Sequence, residues 1–418
     1  MAVVVLMAFA SLLKWLLILA TLPLLVELLS LTLGAMLPAS DPDEETYGTI
    51  PPPLTKLMVV VPSHNEELSI ARCIQSLEAA SGSAQNVIVI AHNCTDATAA
   101  IAQQAGAQVE IVNDLSLAGK GHALNHGFRH AFKNCGAEAV MIVDADSTVS
   151  SNIFAEVSRR LATSPVIQCR YQVRNHSASW RAGLTALAFL GINVVRPRGR
   201  DRLGLSCGIF GNGFAMRKDV LDAVPYDAHS IVEDMEFHLS LVKNGYKVRF
   251  VTEALVLGDM PLSAATSASQ HNRWEGGRLR LLSDWGMTLL RGIFRGKFAL
   301  TEPLIDLLGL PLALEVFSLL VLLLYPSQST RYYVMAAFSV ILLHLAVVIQ
   351  ASPDRRESVR ILLLSPIYLF WRVTKVSSVI RASSKGAAWV RTTRDASVEG
   401  ATHDILTPKT VNSSRESS

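Results

Sequence analysis

"NVIVIAHNCTDATAAIAQQAGAQVEIVN", residues 86–113, runs from an apolar stretch through a polar turn into an Ala-rich stretch, then Gly106 and a second apolar run. A short β-branched run reads as a strand, and the Ala-rich stretch closed by glycine reads as a helix. The alternation continues on both sides. "LMVVVPSHNEE" (57–67) supplies a strand before it; "GHALNHGFRHAF" (121–132) a helix and "AVMIVDAD" (139–146) a strand after it. Such alternation predicts an α/β fold, a parallel sheet with helices on both faces. Ligands in these sheets bind at the carboxyl ends of the strands. The polar residues that follow each apolar run are therefore the ones to weigh.

Half of the 418 residues are hydrophobic, 17% are charged, and mean hydropathy is +0.33. The excess sits at the two ends, which places membrane segments around a soluble middle. Residues 2–37 are apolar apart from Lys14 and Glu27. A continuous helix there would be about 54 Å long, more than a bilayer needs. One span over about 15–37 is expected, with 2–13 as an overhang. No basic segment precedes it, which disfavours a cleaved signal peptide. The Pro-rich acidic stretch 38–56 reads as a linker. Residues 301–325 and 330–351 read as a helical hairpin, whereas 361–371 is too short to span and reads as interfacial or re-entrant. The basic segments "DRRESVR" and Arg381, Lys385, Arg391 and Arg394 put the soluble region and the tail on the cytosolic side. The last residues, within 396–418, read as disordered.

The five cysteines, Cys73, Cys94, Cys135, Cys169 and Cys207, are widely spaced and form no C-x-x-C. This argues against a disulfide framework and a zinc site, and fits a reducing compartment. A net charge of +3 without a basic aromatic stripe excludes a nucleic-acid partner.

Acids stand at the strand ends. Asp144 and Asp146, one residue apart after an apolar run, read either as hard ligands for Mg²⁺ or Mn²⁺ or as solvated acids in a turn. Glu233 and Asp234 precede a helical stretch, and there an acid is also what a helix N-terminus favours. Gln270, Arg273 and Trp274 fall at i, i+3 and i+4, on one helix face. An amide, a guanidinium and an indole together suit a sugar phosphate; a membrane-surface helix is the alternative. Arg196, Arg198, Arg200 and Arg202 alternate in "VVRPRGRDR", read either as a solvated face or as a site for anionic headgroups or a lipid phosphate. Asp306 and Glu315 lie in apolar helices; intramembrane acids are functional candidates, and Asp306 stands where an interface is expected.

The order of these pieces is specific. P-S-H-N-E-E after a strand, D-A-D after a later strand, E-D before a helix and Q-x-x-R-W before membrane helices resemble family 2 glycosyltransferases over about residues 55–285. The likeness is to the membrane-bound branch with the cellulose, chitin, hyaluronan and poly-N-acetylglucosamine synthases. The resemblance implies a GT-A (Rossmann-like) catalytic domain over 57–255, with an N-terminal membrane anchor (1–37) and C-terminal transmembrane helices. Amphipathic interface helices (256–300), a transmembrane hairpin (301–351) and an interfacial segment (352–395) would follow the domain.

It also implies roles. Pro62, Asn65 and Glu66 would cup the nucleoside, Lys120 would approach the base or phosphates with Asn125 behind it, and Asp144 would contact the nucleoside. Asp146 would hold the metal. Asn212 and Gly213 would lie near the transferred sugar. Asp234, with Glu233 beside it, would be the general base, and Gln270, Arg273 and Trp274 would hold diphosphate and acceptor. Asn93, Cys94, Thr95, Asp96 and Thr98 match the D-N-C-T-D-x-T form of the second strand end. His92 stands where a carboxylate reads the base.

The activity implied is inverting transfer from a nucleotide sugar, a UDP-sugar by expectation, at a bacterial-type inner membrane. The acceptor is a growing polysaccharide or a lipid-linked saccharide. Membrane lipids and further synthase or export subunits are the expected partners. Single-sugar addition to a glycolipid, a silent nucleotide-sugar-binding membrane protein and a nucleotidyltransferase are the competing readings.

Overall fold

A computed structural model describes residues 2–38, 56–117, 119–227, 230, 232–260 and 264–373. The expected linker over 38–56, the basic residues beyond 374 and the tail over 396–418 lie outside the described residues, apart from the linker's two end positions.

Helix α1 (Ala2–Met36) is followed by β1 (Leu57–Ser63), α2 (Ile70–Ser81), β2 (Val87–His92), α3 (Thr98–Gln104), β3 (Gln108–Val112), α4 (Lys120–Lys133) and β4 (Ala139–Ile142). Then come β5 (Thr148–Val149), α5 (Ile153–Thr163), β6 (Val166–Val173), α6 (Trp180–Leu190), α7 (Arg196–Arg202), β7 (Phe214–Arg217), α8 (Lys218–Ala223), α9 (Glu233–Lys243) and β8 (Arg249–Gly258). The C-terminal part holds α10 (Ala264–Phe294), α11 (Thr301–Leu308), α12 (Leu312–Leu323), α13 (Gln328–Ala351), α14 (Arg355–Leu362) and α15 (Ser365–Val373).

The strands form one sheet in the order β3-β2-β1-β4-β7-β6-β8-β5. β3, β2, β1 and β4 are parallel, with Val59 opposite Val87 and Met141. Val59, Val61, Val87 and Val89 face one core with α2; Met58, Val60, Ile88 and Ile90 face the other with α4. Burial on both faces is why these strands read as unbroken apolar runs. Gly127 lets α4 lie close on the sheet, since a Cβ there would overlap Val60.

The expectation of a parallel sheet holds for this half only. β7 runs antiparallel to both β4 and β6, while β6 and β8 are parallel. A Gly-rich turn, with Gly211 at φ 73° and Gly213 at φ 72°, leads into β7. Non-glycine residues rarely adopt that region.

α1 is one continuous helix across both the expected span and its overhang, with Pro23 inside it. It and α13 are the two helices among the described residues long and apolar enough to cross a membrane. The stretch 301–325, expected as one leg of a hairpin, is two helices bent by 73°. Gly309 and Pro311 lie at the break, and proline cannot continue the hydrogen-bond ladder. β8 runs three residues past the expected domain end at 255, and a single 31-residue helix follows where several were expected.

The arginine run is neither a solvated face nor wholly a headgroup site. Arg200 is 5% exposed, and Arg196 and Arg200 are both ion-paired inside the protein.

Candidate active site

Two asparagines shape the strand-end loops. Asn65 (φ 56°) and Asn93 (φ 55°) adopt the left-handed conformation, which asparagine tolerates better than most residues. Asn65 Oδ1 accepts from the Thr95 amide at 2.7 Å, and Asp96 Oδ2 accepts from the Glu67 amide at 3.1 Å. Thr98 Oγ1 accepts from the Glu66 amide at 2.7 Å, and Asp96 Oδ1 accepts from the Thr98 amide at the start of α3. The loops after β1 and β2 are thus laced together, beside Pro62.

Cys94 is part of the lacing. Its thiol donates to the Ser63 carbonyl at 3.5 Å and accepts from the Asn65 amide at 3.4 Å. His92 is 6% exposed, and its Nε2 is enclosed without a partner. Burial and the neighbouring His122 and His64 hold its pKa below the usual imidazole value. Contact with a base through Nε2 would require the ring or its loop to move.

The centre of the site is assembled by Lys120, the first residue of α4. Its Nζ donates to Asp144 Oδ1 at 2.5 Å and to the Gly211 carbonyl at 2.5 Å. Asn125 instead donates to the Tyr226 carbonyl at 2.8 Å and braces α4. Asn212 is 1% exposed and is also a brace. Its Oδ1 accepts from the Asp144 amide at 3.1 Å, and its Nδ2 donates to Ser147 Oγ at 2.8 Å. Ser147 in turn donates to Asp146 Oδ1 at 3.0 Å. Gly213 is buried against Val256, whose Cγ2 would lie 2.8 Å from an added Cβ. Asn212 and Gly213 were expected near the transferred sugar; here Asn212 braces the Asp144–Ser147 loop and Gly213 packs against Val256.

Sequence reasoning missed three residues. Gln168 on β6 donates to the Asn212 carbonyl at 2.8 Å and accepts from the Phe210 amide at 3.1 Å, fixing the Gly-rich turn. Ser147 couples that turn to Asp146. Gly211 supplies its carbonyl to Lys120, and its Cα faces Asp234, with an added Cβ 3.0 Å from Oδ2. G-N-G signalled a turn, but not what the turn touches.

Glu233 and Asp234 open α9, where helix amides lack intrahelical partners. Burial pushes both carboxyls up. Glu233 reaches about 7, raised further by Asp234 and opposed by Lys120 and Arg273. Asp234 is raised by burial, opposed chiefly by Lys120. Burial would lower the Lys120 pKa, but Asp144, Glu233 and Asp234 outweigh it, so the ammonium stays charged. One lysine thus faces three carboxylates.

On α10, Gln270, Arg273 and Trp274 are partly buried. Arg273 is close enough to Glu233 to favour its ionised form. Trp274 packs with Phe189 (ring centroids 5.7 Å apart) and His271 (5.5 Å). Its ring borders the cluster of Val173, Phe189 and Met260.

Among the described residues no three His, Cys, Asp or Glu side chains converge as a metal site. Asp144 and Asp146 nevertheless offer the oxygen-only donors that suit Mg²⁺ or Mn²⁺. Lys120 already engages one Asp144 oxygen.

Known proteins resemble this chain. The family described as "Glycosyltransferase like family 2" matches residues 52–277. A probable glycosyltransferase of Bacillus subtilis, YdaM, is 22% identical over 236 residues, 54% of this chain and 55% of that protein. The match therefore spans about half of that relative's length. Protein RfbJ of Shigella flexneri is 30% identical over 119 residues, 28% of this chain and 86% of that protein. A mannosyltransferase from Pyrobaculum calidifontis, solved with GDP-Man and Mn²⁺, superposes with a TM-score of 0.51 at 17% identity. It covers 90% of this chain and 95% of its own. At that identity the likeness is one of fold, the GT-A fold.

Proposed function

The chain belongs to glycosyltransferase family 2, and on that premise we propose that it transfers a sugar, with inversion, from a nucleotide sugar to a saccharide or lipid-linked acceptor. The observation that carries this reading is the cluster Lys120–Asp144–Gly211–Asp234. It joins a cation suited to phosphate and a buried carboxylate suited to proton transfer.

An acceptor hydroxyl attacks poorly while it keeps its proton. Asp234 takes that proton as the oxygen bonds to the anomeric carbon and the bond to the nucleoside diphosphate breaks. Burial raises the basicity of Asp234, and Lys120 opposes that rise by favouring the ionised form. The diphosphate leaves with added negative charge, which Lys120 and Arg273 offset. One displacement from an α-linked donor gives a β-glycoside and needs no covalent intermediate on the enzyme. Asp144 and Asp146 would hold Mg²⁺ or Mn²⁺, which supplies further charge stabilisation to a diphosphate. Trp274 offers an indole for the acceptor sugar.

The reaction takes place at the cytosolic face of the membrane, a side supported by Arg355 and Arg356 at the start of α14 when the bent pair α11–α12 counts as one span and α13 returns the chain. A second reading is favoured by the helix count. The described residues contain two spans, or up to three if the bent pair is one, which is few for a polymer channel built from one chain. Addition of a single sugar to a lipid-linked acceptor fits this better than processive synthesis by the cellulose-type branch.

Membranes carrying Asp234→Asn test the base. Incubated with a panel of labelled nucleotide sugars, the variant should bind donor and lose transfer by at least about 100-fold. Turnover near wild type would refute the assignment. Separating lipid-soluble from polymeric product decides between the two acceptors.

A further inference from the structure

Glu27 sits inside the apolar sequence of α1 and is 2% exposed. Arg196 and Arg200 of α7 both donate to its Oε1, Arg200 at 2.7 Å. Arg196 also donates to Asp306 Oδ1 of α11 at 2.6 Å, and Arg200 pairs with Glu302 of the same helix. Arg278 of α10 donates to the Asp306 carbonyl at 3.1 Å. Two arginines and three carboxylates therefore meet in the interior, from three helices far apart in sequence, α1, α7 and α11. The backbones can approach because of Gly199, where a Cβ would overlap the carbonyl of Leu31.

Two routes lead from this cluster to the active site. On α10, Arg278 stands one turn after Trp274. On α9, His238 stands one turn after Asp234, with its Nε2 2.8 Å from Ser206 Oγ. Leu239 and Val242 of α9 pack in one apolar cluster with Leu281 of α10 and Leu307 of α11, the helix that carries Glu302 and Asp306; burial and the charge of Arg200 hold His238 down to about 4. Both helices that carry the proposed chemistry are thus tied to the same charges, and those charges are anchored on α1.

We infer that Glu27, Arg196, Arg200, Glu302 and Asp306 act as positioning residues, a joint through which α1 sets the separation between Asp234 on α9 and the Arg273–Trp274 face on α10. The inference rests on the roles proposed for those residues. It makes the N-terminal helix part of the active-site scaffold rather than a tether. Loss of one carboxylate leaves two buried guanidiniums under-compensated, and they must repack or admit water.

The test uses the full chain in membranes with Glu27→Gln, which keeps side-chain size and removes the charge. Spin labels at Asn244, at the end of α9, and at Ser283, on α10, report the separation directly. The expected result is a broadened or shifted distance distribution, with kcat down about tenfold and donor KM unchanged. Glu27→Asp should recover part of both. An unchanged distance distribution overturns the joint whatever the activity. A parallel loss of donor affinity and melting temperature, with normal kcat per folded enzyme, overturns it as well, because that is loss of fold. If Asp234→Asn keeps its turnover, the proposed chemistry fails while the distance measurement still decides the joint.

Discussion

Two charge clusters stand out among the described residues, one half-buried and one buried, and they are built on opposite plans. At the strand ends, Lys120 faces Asp144, Glu233 and Asp234 and makes a close contact with only one of them. At the membrane junction, Arg196 and Arg200 are each bonded to carboxylates on two other helices. The first cluster leaves Glu233 and Asp234 without a close ion pair, beside the proposed substrate site. The second pairs its opposite charges with one another, although Glu27 Oε2 and Arg196 Nε are buried without a partner. Burial alone therefore does not mark a functional site; incomplete compensation does.

Breaking the closed cluster should have the largest effect. Arg200→Met removes the partner of both Glu27 and Glu302, and breaking a buried pair in this way costs about 3–5 kcal/mol. Melting in detergent should fall sharply, and little folded protein should be recovered. Gly211→Ala probes the open cluster. The position has φ 73°, and the added methyl would lie 3.0 Å from Asp234 Oδ2. The backbone cost is about 1–2 kcal/mol, and displacement of Asp234 should lower kcat by about tenfold, measured against donor binding as control.

Titration gives the smallest and most diagnostic contrast. Glu233 is raised from 4.5 to about 7 by burial and Asp234. An acid whose pKa is higher in the folded state stabilises the fold below its unfolded value, and that contribution is lost as pH rises through the folded value. Transfer needs the pair able to accept a proton. From about pH 5 to 7, kcat should therefore rise while the melting temperature falls. Glu233→Gln should flatten the stability change in that window.

The parallel half of the sheet was legible because both faces of β1, β2 and β4 are buried, which writes apolar runs into the sequence. The acids were legible because they follow those runs directly. The arginine run was not. Its solvated reading fails because Arg196 meets Glu27 across 169 positions and Asp306 across 110, and no local pattern encodes such partners. The bonds of Asn212 to the Asp144 amide and Ser147 were not legible: a Gly-rich turn shows where the backbone bends, not which way an amide points. Gln168 was not legible: "VIQCRYQV" also holds Arg170 and Gln172, and nothing in the string marks Gln168 as the fully buried one.

The separation between Glu27 and its partners also has a consequence in time. During synthesis α1 leaves the ribosome long before α7 exists. At 5–20 residues per second, the 169 positions between them take on the order of ten seconds or more. For that interval Glu27 is an acid in a greasy helix with no arginine to meet. Biogenesis must then proceed with that carboxyl protonated, held at the bilayer edge or shielded by the insertion machinery. A chain stalled before residue 196 would present α1 complete but with Glu27 lacking the arginines that hold it in the finished protein.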